Sequence, residues 1–342
     1  MLIPSSRYLN TTEQKWPGAA IPPGWLPVDI TGGVPIVRWI KVGLAPLTDP
    51  FFAQTVSNRR GGGSSVPECE TDISILERGA ADLPFVTPSG IICHMTRCGS
   101  TLLANAMRAA REATILSEAS AIGRVIGWIG SPSRHWAMVG SKLIEPLIKI
   151  FAHYQGSDTR HIVIKCGNEG FHSLRTLRAA WPEVPVLVLI RDPIEVLVSN
   201  FQQPPRWFLD WYDSPTVTRF GTPPPEVLAG GAAEYCAWTI GRFCSEALAV
   251  VDNGCRVLDY ADLTPEVAKR VGSYFNLSFS PEGERSFLEV FRYNVKYPNR
   301  VFEADSETKR LAATERIKTS AARWVDGPYA ELRKQVACWD DL

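Results

Sequence analysis

Arg97-Cys98-Gly99-Ser100-Thr101-Leu102 is the stretch of this sequence whose residue types and order best suit chemistry on an anion. An apolar run, Ile91 and Ile92 with Cys93 and Met95 beyond, stops at Thr96; Leu102, Leu103, Ala106, Met107 and Ala110 then recur at helical spacing. The pattern predicts a strand, a tight turn and a helix. Such a turn leaves the first backbone N–H groups of the helix unpaired and converging, and the helix dipole favours negative charge there. Arg97 adds a planar guanidinium fork beside them. Two further cations, Lys165 and Arg191, close other apolar runs, and Ser199 follows Arg191 by eight residues. That spacing is just over two helical turns, so a strand-end arginine and a helix hydroxyl can meet at one phosphate.

These side chains need a scaffold, and the rest of the chain predicts one. HIVIKC (161–166) and VPVLVLI (184–190) read as buried strands, the second apolar throughout as in strands covered on both faces. Asp192 and Pro193 suit the N-cap and first position of a helix through Ile194, Leu197, Val198 and Phe201. RVLDY (256–260) is a fourth strand, followed by a helix that Thr264-Pro265-Glu266 opens and that runs to Phe275. Strands alternating with helices predict an α/β fold, a parallel sheet flanked by helices. Ligands of such sheets sit beyond the carboxyl ends of the strands, where Arg97, Lys165 and Arg191 all fall.

Elsewhere, Ile115–Glu118 is a short apolar stretch ending in a carboxylate, and residues 121–155 and 232–251 are helical. Residues 202–227, dense in aromatics and proline, read as a loop or lid. The charged C-terminal sixty residues are mostly helical, and Gly327-Pro328 breaks them before a last helix with Tyr329, Leu332, Val336 and Trp339 on one face. Residues 1–34 show no lasting period. Pro35–Val42 could be a strand, and 59–65 reads as a flexible loop. The chain thus divides into an irregular N-terminal arm or subdomain (1–85) and an α/β domain with a helical C-terminal extension (86–342).

With 36 Lys+Arg against 36 Asp+Glu in 342 residues, no global field draws nucleic acid or an anionic membrane, so any anion site is local. The N-terminus lacks the pattern of a signal peptide and the longest apolar stretch is too short to span a bilayer, so a soluble cytoplasmic protein is expected. Eight cysteines without a CxxC pair or a His/Cys cluster suggest buried thiols, with neither zinc nor a disulfide framework.

In order along the chain, the anion turn, Arg191 with Ser199, and Val257-Leu258-Asp259-Tyr260-Ala261-Asp262-Leu263 resemble the sulfotransferase family, nearer to its glutamate-using tyrosylprotein and bacterial branch. The resemblance runs from about Ile91 to Phe275. It implies a P-loop NTPase-like α/β fold and the donor 3′-phosphoadenosine 5′-phosphosulfate (PAPS), leaving 3′-phosphoadenosine 5′-phosphate (PAP), with no metal. It also implies that residues 97–102 form the 5′-phosphosulfate loop, that Arg191 and Ser199 hold the 3′-phosphate, and that Tyr260 lies by the adenine. Glu118, 21 residues after Arg97, matches the base, and Lys165 the lysine near the leaving bridging oxygen. Arg97 and the turn amides would steady charge on the leaving phosphate.

This sequence departs from the family pattern at Cys98, where serine is usual, though that position can still offer its N–H. The family's C-terminal basic segment has no clear counterpart; Lys309, Arg310, Lys318 and Arg323 are candidates. Trp207–Tyr212 is the candidate acceptor pocket, with a hydrophobic flap or dimer contact as the alternative. The acceptor, a hydroxyl or amine on a small molecule, peptide or carbohydrate, is left open, as is a homodimer. Two other functions fit the same fold: a P-loop kinase-like enzyme, though GxxxxGK[ST] is missing, and a catalytically silent nucleotide-binding or scaffold protein.

Overall fold

The computed structural model describes residues 20–62, 66–155, 159–167, 174–213, 221–252, 254–294, 297–301 and 305–339. Strands β1 (Trp25–Ile30), β2 (Ile36–Lys41) and β3 (Glu68–Asp72) form an antiparallel sheet in that order. Only β2 is evident in the sequence. In β1 the register slips between Pro27 and Asp29, which destroys the alternation that would mark a half-buried strand. The indole N–H of Trp39 donates to Thr71 Oγ1 at 2.8 Å and ties β2 to β3. Helix α1 (Phe52–Gly61) takes up part of the segment read as a glycine loop, whose residues 63–65 lie outside the described ones; α2 (Ser74–Ala80) follows β3.

The second sheet is parallel. It contains β4 (Gly90–His94), β5 (Ala113–Ser117), β6 (His161–Lys165), β7 (Val186–Ile190) and β8 (Cys255–Asp259), in the order β5-β6-β4-β7-β8. Four of these are the predicted strands. The fifth, β5, is the stretch given only as an apolar run before Glu118; a five-residue edge strand carries too little pattern to declare itself.

Burial follows the period of two. Ile91, Cys93, Ile162, Ile164, Val186 and Val188 pack into one core, whereas Ile92, Val163, Leu187 and Leu189 pack into another across the sheet. Helix α3 (Ser100–Met107) covers the second face. Helices α4 (Ser120–Ile129) and α5 (Arg134–His153) lie with the first core, along with the buried residues of the N-terminal sheet. The single helical region expected over 121–155 is therefore two helices, divided around Ser131-Pro132-Ser133.

Helices α6 (Leu174–Ala180) and α7 (Pro193–Gln202) come next, and Asp192 caps α7 as predicted, accepting from Glu195 N–H at 3.1 Å. The segment read as a loop or lid instead holds α8 (Arg206–Asp213) and α9 (Pro225–Gly230); residues 214–220 lie outside the described ones. Pro204 and Pro205 precede α8, and Pro225 takes the first position of α9, where its missing N–H costs nothing. Helices α10 (Ala232–Leu248) and α11 (Pro265–Tyr274) match expectation, and α12 (Pro281–Arg292), α13 (Ser306–Leu311), α14 (Glu315–Trp324) and α15 (Asp326–Arg333) follow toward the C-terminus. Gly327 and Pro328 fall inside the first turn of α15, so the break comes two residues earlier, at Val325, and Val336 and Trp339 lie beyond the helix.

The chain leaves β4 toward β5 and β6 on one side and then adds β7 and β8 on the other. That reversal beside β4 is the topological switch point, where open α/β sheets hold ligands. No helix among the described residues is long and apolar enough to cross a membrane.

Candidate functional site

At the carboxyl end of β4 the backbone turns through two left-handed residues, Arg97 (φ +60°) and Gly99 (φ +82°), before α3 begins. Only glycine takes this conformation freely, and space requires it too: a Cβ on Gly99 would lie 2.6 Å from the Tyr260 ring. Gly99 caps α3 without a side chain. Leu103 N–H already reaches Gly99 O at 3.1 Å, so helix geometry leaves the N–H groups of Ser100, Thr101 and Leu102 without intrahelical acceptors. Cys98 is fully buried, and burial pushes its thiol up to about 12 even though the Ser100 amide, Lys165 and Arg191 act against it. With its thiol buried, Cys98 enters the site only through its backbone.

Arg191, buried after β7, joins the turn to two other motifs. Its Nη1 donates to the Arg97 carbonyl at 3.2 Å, and its guanidinium lies 4.2 Å from the centre of the Tyr260 ring. Tyr260 opens a short turn after β8, so the residue matched to the adenine side packs on both the anion turn and Arg191. Ser199 sits half-buried two turns along α7 from Arg191. Between them the buried Glu195 accepts from Arg191 Nε at 2.7 Å and from Ser306 Oγ at 2.9 Å.

Helix α13 completes this corner. Asp305 accepts from Arg191 Nη2 at 2.8 Å and pairs with Lys309 at 2.7 Å, and Arg310 reaches Glu195 at 2.8 Å. Of the four basic candidates, Lys309 and Arg310 are thus at Arg191, while Lys318 pairs with Glu315 and Arg323 lies by Glu234. Neither Glu195 nor Asp305 was read from the sequence; Glu195, in the first turn of α7 and four residues after Arg191, had that spacing as its signal, and Asp305 had no local one.

A second polar cluster forms across β4, β5 and β6. Glu118 follows β5 in a left-handed conformation (φ +54°), with its N–H fixed on Lys165 O at 2.9 Å. Lys165, its side chain fully buried, meets Glu118 Oε1, and the Phe51 ring lies 4.9 Å from the ammonium. His94 Nε2 is 3.4 Å from the same oxygen. Burial pushes the Glu118 carboxyl up, but the Lys165 charge and the His94 contact outweigh it and hold the group down to about 2. Burial and then Lys165 push the His94 imidazole below its ordinary value.

The Arg97 side chain reaches the C-terminal end of α7, where it donates to the Gln203 carbonyl and, at 3.5 Å, to Gln203 Oε1. The aromatic candidates also divide. Trp207 and Phe208 are buried against Tyr235, so they belong to the core, whereas Tyr212 is 65% exposed. Among the described residues no group of His, Cys, Asp and Glu could hold a metal ion.

The arrangement offers helix N-terminal amides and cations for a multiply charged anion and, at the neighbouring strand ends, a carboxylate paired to an ammonium. No protein-family model and no curated protein matches the chain. Among solved structures it is similar to a sulfotransferase from Alicyclobacillus acidocaldarius, at 12% identity and a TM-score of 0.38, over 71% of this chain and 99% of that one. It is also similar to a sulfotransferase from Mycobacterium tuberculosis, at 15% identity and a TM-score of 0.38, over 71% of this chain and 78% of that one.

Proposed function

We propose that this protein is a sulfotransferase that moves a sulfuryl group from PAPS to a hydroxyl or amine acceptor. The observation that carries the reading is the stacking of three motif residues at the switch point: Arg191 over Tyr260, and Tyr260 against Gly99 of the anion turn. The donor set suits an adenosine carrying phosphates at both ends, with the α3 amides for one and Arg191, Lys309 and Arg310 for the other.

When bound, PAPS supplies an electrophilic sulfuryl group whose leaving group is a phosphate. Glu118 accepts the proton of the acceptor hydroxyl as that oxygen forms its bond to sulfur and the bond to the phosphate oxygen breaks. A carboxylate held at about 2 is a weak base, and withdrawing the Lys165 ammonium raises its proton affinity. The same ammonium, turned to the leaving oxygen, steadies the charge developing there. The N–H groups of Ser100, Thr101 and Leu102 act alongside it, and such a preorganised donor typically contributes ~3–4 kcal/mol.

Thermal unfolding tests the reading. PAP at about 100-fold over its Kd should stabilise the protein by ~2.7 kcal/mol, with ATP and magnesium giving less. A larger shift with ATP and magnesium would favour a kinase-like enzyme instead.

A further inference from the structure

His94 ends β4, immediately before the anion turn, and is 5% exposed. Neither ring nitrogen has a hydrogen-bond partner of ordinary geometry, an arrangement that buried polar groups rarely tolerate. Three groups face the ring: Glu118 after β5, Lys165 at the end of β6, and the backbone of Cys166 just beyond it. Glu118 Oε1 lies 3.4 Å from Nε2, a few tenths of an ångström beyond the usual hydrogen-bond range. An ionised carboxylate only accepts, so the nitrogen that faces it must carry the ring proton.

Glu118 needs such a partner. Its backbone is pinned by the bond to Lys165 O, but its side chain is 31% exposed, and Lys165 and His94 share one carboxylate oxygen. If Lys165 leaves, the carboxylate is free to swing toward water unless a second donor retains it. A neutral imidazole does this without adding a positive charge, so it fixes direction while lowering proton affinity less than an ammonium does.

We infer that His94 is a positioning residue for Glu118: its neutral ring presents Nε2–H to Oε1, shares that oxygen with Lys165, and keeps it when Lys165 turns to a bound donor. The last step rests on the sulfotransferase reading; the contact in the free protein does not.

Long-range proton–nitrogen NMR of the full chain with labelled histidine tests this, with His94 among the five histidines assigned from the spectrum of His94→Gln. The expected result is an Nε2-protonated ring at about pH 7.5. Its Nε2–H signal should move in Glu118→Ala, and it should move on saturation with PAP while the tautomer stays. Protonation at Nδ1 instead, or an unchanged signal in Glu118→Ala, overturns the His94 assignment. Bound PAP that leaves the signal where it was overturns the Lys165 step. Failure to bind PAP removes the sulfotransferase reading and that step together, and the tautomer still decides whether His94 holds Glu118.

Discussion

The ring of Tyr260 lies between Gly99 and Arg191, 4.2 Å from the arginine's charged carbon and so close to Gly99 that a Cβ there would sit 2.6 Å away. One aromatic side chain thus sets the distance between the anion turn of β4 and the cation of β7. Gly99→Ala faces both this contact and a φ of +82°, and is expected to destabilise the protein by about 1–3 kcal/mol. Urea unfolding measures the loss, and a midpoint equal to that of the parent would contradict the packing described.

Asp305 holds Arg191 Nη2 with a carboxylate that is 52% exposed, and Lys309 shares it. An incoming phosphate competes with that carboxylate. Asp305→Asn should therefore tighten PAP binding, and Lys309→Ala should weaken it about tenfold, the loss of one charge-assisted contact of ~1.5 kcal/mol. Lys318→Ala, remote from Arg191, serves as the control in the same titrations and should change nothing.

Acid stability reads the Glu118 cluster. Its carboxyl is lowered from the ordinary 4.5 to about 2, so the folded state binds fewer protons than the unfolded one between those values. The stabilisation is complete above the unfolded value and is lost as pH falls through about 2. The stability difference between the parent and Glu118→Gln, from denaturant midpoints, should be flat near neutrality and shrink on acidification. A difference that grows as pH falls would place Glu118 outside the ion pair.

Phe208→Ala should cost about 3–5 kcal/mol and Tyr212→Ala less than ~0.5, because the first ring is 1% exposed and the second 65% exposed. Thermal denaturation distinguishes them. Equal, small losses would restore the aromatic stretch as a solvent-facing flap.

Much of the scaffold was legible because it follows local rules. The continuous apolar run at β7 marks a strand covered on both faces, and the Asp192–Pro193 and Thr264–Pro265 pairs mark where α7 and α11 begin. What escaped lacks such a signal. β1 is irregular at Pro27, and the prolines before α8 disguise a helix as a loop. In the site, Arg97, Lys165 and Arg191 were placed at strand ends by pattern alone, but the direction of a long side chain is not a matter of pattern, and Arg97 points to Gln203. His94 meets Glu118 and Lys165 only because β6 sits between β4 and β5, an order that spacing does not state.

The most direct test is calorimetric titration of the parent and Arg191→Ala with PAP and, separately, with ATP and magnesium; Arg191→Lys, which keeps the charge but not the fork, serves as the folding control. The account predicts that PAP binds the parent in preference to ATP and at least about tenfold more weakly to Arg191→Ala, a difference of ~1.4 kcal/mol. Preference for ATP, or no binding of PAP by the folded parent, would contradict it.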